Sequence, residues 1–300
     1  MISEVKRTPG GAILLDGIKL RDETVAKIKS TIAAAGNPKI CLETVFVGDD
    51  APSHIYVNNK HKKAQEAGMV SRGVNLAATA TQEQVEQAVA ELVADKNVHG
   101  ILVQLPLPKH IDTEAVLSLL PVEKDVDGLT ERSLGRLVRG VKGHVPCTPL
   151  GVFRLLQSYK IETKGKRVVV IGRSALVGLP QMLLLVGRAA DATVTVAHKS
   201  TSDMIEVCRE SDIIIAAAGA ARMVTAAHVK PGATVIDVGV TRIDNKIVGD
   251  VDFEAVQSIA GAITPMPGGT GPMTIACLLA NTLTACCRAN GLAEPDGLTA

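Results

Sequence analysis

Residues 166–180, KRVVVIGRSALVGLP, decide the fold. Val168, Val169, Val170 and Ile171 form an unbroken β-branched run, the pattern of a parallel strand covered on both faces rather than of an alternating edge strand. Gly172 ends that run. From Gly178 onward Leu179, Met182, Leu183 and Val186 recur at helical spacing, so Arg173 to Val177 reads as the strand-to-helix turn of a βαβ unit. Backbone amides at such a helix start attract phosphate. The glycines are spaced G-x-x-x-x-x-G, with Ser174 where the dinucleotide fingerprint has its second glycine. A tight turn without a ligand fits the same residues, so the choice rests on what flanks them.

Downstream, the pattern predicts a strand over 193–197, a helix over 202–210, and strands over 212–217 and 234–238. This continued alternation favours a dinucleotide-binding unit. An NAD site usually carries Asp or Glu at the end of the second strand, to hold the ribose hydroxyls. Here that stretch is Ala197-His198-Lys199-Ser200-Thr201, and Asp191 precedes the strand rather than ending it. The Lys199 cation and the Ser200 hydroxyl suit a 2′-phosphate, and Arg173 offers a second cation, which favours NADP. The alternative is that Lys199 is an ordinary solvated surface lysine.

Upstream, a short strand over 12–15 and a helix over 19–35 lead to an alternating strand over 40–47. Asp50 precedes a helix that runs to about Ala67 and carries Ser53, Tyr56 and Lys60 on one face. A strand over 70–76, a helix over 81–94 and a strand over 100–104 follow. Gln104 thus sits at the carboxyl end of a strand, where open α/β sheets place ligands. The polar segment 121–128 holds Glu123, Asp125 and Asp127, and 140–149 reads as a loop before a helix over 150–159. Pro and Gly crowd 264–274, with Pro272 placed to open a last helix reaching about Arg288.

Composition narrows the function classes. Three hundred residues suggest two domains, and 46% hydrophobic residues with three Phe, two Tyr and no Trp give an aliphatic core. The 32 basic and 31 acidic side chains leave a net charge of +1, with no basic stretch, so neither nucleic acid nor an anionic membrane is the expected partner. The six cysteines, at 41, 147, 208, 277, 286 and 287, follow no disulfide-scaffold or metal-ligand spacing. Reduced thiols, a cytoplasmic location and no metal are the expectations. No apolar run reaches the roughly 18 residues of a membrane span.

Catalytic candidates are sought ahead of the nucleotide motif. Tyr56 and Lys60 make Y-x-x-x-K on one helical face, where the phenol can orient the amine and burial would bring its pKa toward neutrality. By itself the pair is as much at home on a solvated helix face. Gln104 can accept from the ammonium, and Asp127 can hold a polar heterocycle or merely shape a turn. His54, His61, His144 and Cys147 have no partner spacing and read as structural.

Together, Tyr56-(x)3-Lys60, Val103-Gln104-Leu105-Pro106-Leu107-Pro108, Lys124-Asp125-Val126-Asp127-Gly128, Pro146-Cys147-Thr148-Pro149, Gly172-Arg173-Ser174 and Pro267-Gly268-Gly269-Thr270-Gly271-Pro272-Met273-Thr274 resemble the bifunctional methylenetetrahydrofolate dehydrogenase/cyclohydrolase family, in that order. The resemblance implies two α/β domains flanking a cleft, the second a Rossmann-like dinucleotide-binding domain, in a homodimer. Residues 1–147 plus the C-terminal helix 272–300 would be the catalytic, folate-binding domain, and 148–271 the NADP-binding domain. Methylenetetrahydrofolate would give a hydride to NADP, and the methenyl product would be hydrolysed to 10-formyltetrahydrofolate. Lys60 would be the general acid/base, Tyr56 would position it and the substrate, and Gln104 would tune it. Asp127 would hold the pterin's amino edge, Val103, Leu105, Gly271 and Pro272 would line the folate site, and Val240 would lie beside the nicotinamide.

The chain departs from the family's commoner pattern in the order Ala51-Pro52, in Thr270 where Val is usual, and in His198-Lys199-Ser200-Thr201. A short-chain dehydrogenase also uses Tyr-(x)3-Lys, but after its nucleotide motif; Tyr56 precedes Gly172. A monofunctional dehydrogenase of another substrate or a dinucleotide-sensing module would leave these first-domain polar groups incidental.

Overall fold

Strands and helices alternate along much of the described chain. The computed structural model describes residues 5–298 except 50 and 245, and leaves aside the side chains of 51–53 and 55, so the helix start at Asp50 and the side chain of Ser53 lie outside the described residues. In order come β1 (Ile13–Leu14), α1 (Gly17–Ala34), β2 (Cys41–Val47), α2 (Ala51–Glu66), β3 (Val70–Leu76), α3 (Gln82–Ala94) and β4 (Gly100–Val103). Next are α4 (Thr113–Ser118), α5 (Glu131–Val138), α6 (Cys147–Ser158), β5 (Arg167–Ile171), α7 (Gly178–Val186), β6 (Thr193–Ala197) and α8 (Met204–Arg209). The chain closes with β7 (Ile213–Ala216), β8 (Thr234–Asp237), the pair β9 (Thr241–Ile243) and β10 (Lys246–Val248), α9 (Phe253–Val256), β11 (Ala262–Ile263) and α10 (Thr270–Ala289).

The chain divides into two compact units. One joins the residues up to Asp22 with Thr148–Thr274; the other joins Glu23–Cys147 with the chain from Ile275 onward. The first unit is built on a parallel sheet in the order β1-β11-β8-β7-β5-β6. Its central strands are buried along nearly their whole length, which is why 168–171, 213–216 and 234–237 read as apolar runs. Val169, Ile171, Ile214, Ala216, Val235 and Ile263 form its core. The sequence reading places the N-terminal strand with the catalytic domain, but β1 pairs with β11 here. A two-residue strand has too little pattern of its own to announce so distant a partner.

The second unit carries a parallel sheet in the order β3-β2-β4. Its core packs Val45, Val47, Val85, Val89, Ile101, Val103 and Leu120. β2 is buried at every position, so its apparent alternation is not an inside/outside pattern; as the middle strand it is covered on both faces. α3 starts on a capping box, with Thr81 accepting from the Gln84 amide and the Gln84 side chain accepting from the Thr81 amide. The short helices α4 and α5, which periodicity does not reveal, are fixed by side-chain caps from Asp112 and Thr130.

Two helix starts differ from expectation. α6 begins at Cys147, with Pro149 inside its first turn, and α10 begins at Thr270 rather than at Pro272. Proline lacks only an amide that the first turn leaves unbonded anyway. By length and composition α10 could cross a membrane, yet 83% of its apolar 18-residue stretch is buried within the protein, as in a core helix. The buried face of α7 also differs: Pro180, Gln181, Leu184 and Leu185 point inward, whereas Leu179 and Val186 are 42% and 47% exposed.

Candidate active site

In the second unit, α2 and the end of β4 bring Lys60 and Gln104 together. Lys60 is buried and its Nζ donates to Gln104 Oε1 at 2.9 Å. Gln104 Nε2 donates to the Leu105 carbonyl at 2.7 Å, which turns the amide oxygen toward the amine. The Lys60 Nζ also lies 4.5 Å from the centre of the Tyr56 ring, one helical turn away. Burial lowers the pKa of Lys60, and the nearby Asp127 and Cys147 oppose that shift. An amine in this setting exchanges a proton far more readily than a surface lysine.

Asp127 follows the buried Asp125-Val126 pair. Although half-buried at the surface, it is tightly surrounded, and burial raises its carboxyl above the usual range while Lys60 pulls it back. Its neighbour Asp125 is structural, accepting from the amides of Leu129 and Thr130 and from the Ser133 hydroxyl at 2.6 Å. Cys147, read from sequence as structural, lies close to Asp127, and burial, with the Asp127 charge beside it, pushes its thiol pKa well up. Its Sγ donates to the Val126 carbonyl at 3.3 Å. Asn281 of α10 donates to the carbonyls of Val126 at 2.9 Å and Val145 at 3.1 Å, fixing the backbone on both sides. No local spacing ties Asn281 to Asp127, and neither residue was paired with Cys147 by sequence. Val103 ends β4, buried, and Leu105 packs against the same core. His61 bonds Thr44 and Ser71, and His54 packs edge-on against Phe46, both outside this cluster.

In the first unit, the chain passes from β5 to β6 on one side and then from β6 back across β5 to β7 on the other, which makes a switch point. Gly172 lies there at φ +127°, and a Cβ on it would strike the Ala217 carbonyl. A Cβ on Gly178 would strike Gly172 in turn, so the glycines close the turn tightly. Ser174 Oγ accepts from the amides of Val177 at 3.2 Å and Gly178 at 3.4 Å, so these two are not left for phosphate. Arg173, Lys199 and Ser200 are exposed on the loops after β5 and β6. Thr201 Oγ1 accepts from the His198 amide at 2.9 Å and sets the second loop. A glycine cradle with exposed cations and no carboxylate ending β6 fits a phosphorylated dinucleotide. Val240 follows β8 and is 65% exposed, while Gly271 and Pro272 lie in the first turn of α10.

A nucleotide crevice in one unit and a buried amine ready for proton transfer in the other put the chain among the two-unit α/β dehydrogenases. The catalytic-domain description of tetrahydrofolate dehydrogenase/cyclohydrolase matches residues 15–127, and its NAD(P)-binding-domain description matches 146–290. The chain belongs to this family.

It is 48% identical over 293 residues to the bifunctional protein FolD 2 of Paracoccus denitrificans, covering 95% of this chain and 96% of that one. The crystal structure of the bifunctional FolD enzyme, methylenetetrahydrofolate dehydrogenase/cyclohydrolase, from Campylobacter jejuni matches with a TM-score of 0.88 at 42% identity, covering 93% of this chain and 98% of that one. The Trypanosoma brucei enzyme, solved with NADP cofactor and inhibitor, gives 0.89 at 39% identity, with the same coverages.

Proposed function

We infer that the chain is a bifunctional enzyme of one-carbon metabolism, oxidising 5,10-methylenetetrahydrofolate with NADP and hydrolysing the methenyl product to 10-formyltetrahydrofolate. The observation that carries this is the buried Lys60–Gln104 pair beside Asp127, in a chain whose other unit has the glycine turn of a dinucleotide site. NADP supplies the hydride acceptor. During hydrolysis the neutral Lys60 amine takes a proton from water as its oxygen bonds the methenyl carbon. It then returns a proton to N5 as the carbon–N5 bond breaks, and the hydroxyl proton leaves as the formyl group forms. Gln104 holds the amine in place, Tyr56 covers it, and Asp127 takes the pterin's amino edge. Val103, Leu105, Gly271 and Pro272 against folate, and Val240 against the nicotinamide, rest on the family resemblance. The test is absorbance during turnover of methylenetetrahydrofolate with NADP: methenyl compound forms and then decays. A preparation that forms none is not this enzyme.

At the adenosine end we propose that Arg173, Lys199 and Ser200 hold the 2′-phosphate, with Gly172 and Ser174 shaping the turn. Lys199→Ala is then expected to raise the KM for NADP about tenfold, the low end for an exposed charged hydrogen bond. The KM for NAD, which lacks the phosphate, should stay put, and added salt should reproduce part of the effect. Equal changes for both nucleotides would make Lys199 a surface lysine.

We also propose a homodimer, supported by β3, a seven-residue strand at the sheet edge with an unpaired side among the described residues. Light scattering at half the expected mass would refute it. A cytoplasmic location is supported by the six cysteines, all buried and none joined in a disulfide among the described residues. Recovery of the enzyme from a non-cytoplasmic fraction would overturn that placement.

A further inference from the structure

Two buried carboxylates stitch together the loops at the carboxyl ends of β7 and β8. Asp250, fully buried, accepts through Oδ2 from the amides of Ala218 at 2.7 Å and Gly219 at 2.9 Å, in the loop that follows β7. Its other oxygen, Oδ1, has no hydrogen-bond partner among the described residues and lies against Gly239, where any Cβ would strike the carboxylate. Asp237 ends β8 and accepts from the amides of Gly239 at 3.1 Å, Asp250 at 2.9 Å and Val251 at 3.0 Å. Its own backbone is held by Thr264, which accepts from its amide at 2.7 Å, and by Thr270, which donates to its carbonyl at 3.0 Å. A Cβ on Gly249 would strike Asp237, so both carboxylates are met by glycine. Five backbone amides from three segments thus converge on two side chains.

The placement has a consequence for chemistry. The loop after β7 begins at Ala217, whose carbonyl closes on Gly172, so it forms one wall of the nucleotide crevice. Val240 stands directly after Gly239, and Gly249 and Val251, on either side of Asp250, line an open cavity of about 540 Å³ with Pro265 and Met266. Asp250 is therefore buried behind the crevice loop it bonds at Ala218 and Gly219, and lies against Gly239.

We propose that Asp250 is a positioning residue for hydride transfer: it sets the height of the Ala218–Gly219 loop against Gly239, and so the seat of the nicotinamide half of the dinucleotide. This rests on the reading of the first unit as the NADP site. The charge serves because bonds from amides to an ionised oxygen are shorter and stronger than bonds to a neutral one.

The test is Asp250→Asn in the full-length enzyme, with both activities measured on each preparation. The ratio of NADP-dependent oxidation to methenyl hydrolysis, the latter measured without NADP, should fall at least about tenfold, the loss expected when a charged hydrogen bond becomes neutral. The loss should show in kcat as well as in the KM for NADP, since a misplaced nicotinamide reacts poorly even when bound. Gly239→Ala, which drives a methyl group against the same carboxylate, should give the same split. The pH profile supplies a reading that a mere stability defect would not move. Asp237 has its carboxyl pushed up to about 6, chiefly by burial and also by the Asp250 charge, against the pull of the three amides it holds. Oxidation in the unmutated enzyme should fall as pH drops through that value, and in Asp250→Asn this limb should move to lower pH. Equal losses of both activities in both variants, no loss in either, or an unmoved acid limb would each overturn the proposal. If the unmutated enzyme fails to reduce NADP, the functional reading fails instead.

Discussion

Replacing Lys60 with methionine is expected to lower methenyltetrahydrofolate hydrolysis by about 10²- to 10⁴-fold, the usual contribution of a positioned proton-transfer group. Methionine keeps much of the lysine stem's bulk but has no proton to exchange. NADP binding should persist, because the glycine turn belongs to the other unit. Stability should hold or rise, since the variant removes an amine whose charged form burial disfavours. The pH dependence follows from the same shift. Hydrolysis needs the neutral amine, whose pKa burial lowers, so activity should climb with pH through a midpoint below the ordinary lysine range and be lost on the acid side. Single-turnover hydrolysis followed by methenyl absorbance, alongside a thermal melt, checks all of this. Hydrolysis at the unmutated rate would remove Lys60 from the mechanism.

The second large effect is expected at Gly172. Alanine there meets two obstacles: a backbone at φ +127°, and a Cβ driven into the Ala217 carbonyl. Backbone strain of this kind costs about 1–3 kcal/mol, and the turn must shift to relieve the contact. Because Gly178 closes on Gly172, the shift carries the start of α7 with it. NADP-dependent oxidation should drop by about 10- to 100-fold, mostly through weaker NADP binding. Hydrolysis of methenyl compound supplied directly should be spared by comparison. Titration of NADPH fluorescence reads the binding term. Unaltered affinity would mean that the dinucleotide does not rely on this turn.

Residues near one another in sequence were the legible ones. The run 168–171 ending on glycine, the helix that follows it and the strands over 193–197 and 234–238 are local patterns, and the structure places them within a residue or so of expectation. Tyr56 and Lys60 share a helical face by spacing alone, whereas Gln104 joins them only because β4 lies beside β2. Asn281 escaped notice and Cys147 read only as structural because their bonds to the Val126 segment cross 155 and 21 residues of chain. The inward face of α7 misled for another reason. Its apolar string runs along the exposed side, while Gln181, polar by type, is fully buried. Burial there is set by the sheet beneath the helix, and a hydrophobic pattern read in isolation has no knowledge of it. The β9–β10 pair and β11 are too short to carry a period.

Each unit joins two stretches that lie far apart along the polypeptide, and this governs how the protein is made. β1, near the beginning, waits for β11 before it has a neighbour, and the Val126 and Val145 carbonyls wait for Asn281. On a ribosome, the first sheet cannot close until β11 has emerged, and the second unit waits longer still, for Asn281. Nascent chains therefore spend most of their synthesis with unsatisfied strand edges, which favours chaperone capture and makes late stop codons costly. A message truncated just ahead of Asn281 would leave the first unit's stretches in place and deprive the second of the amide that holds Val126 and Val145.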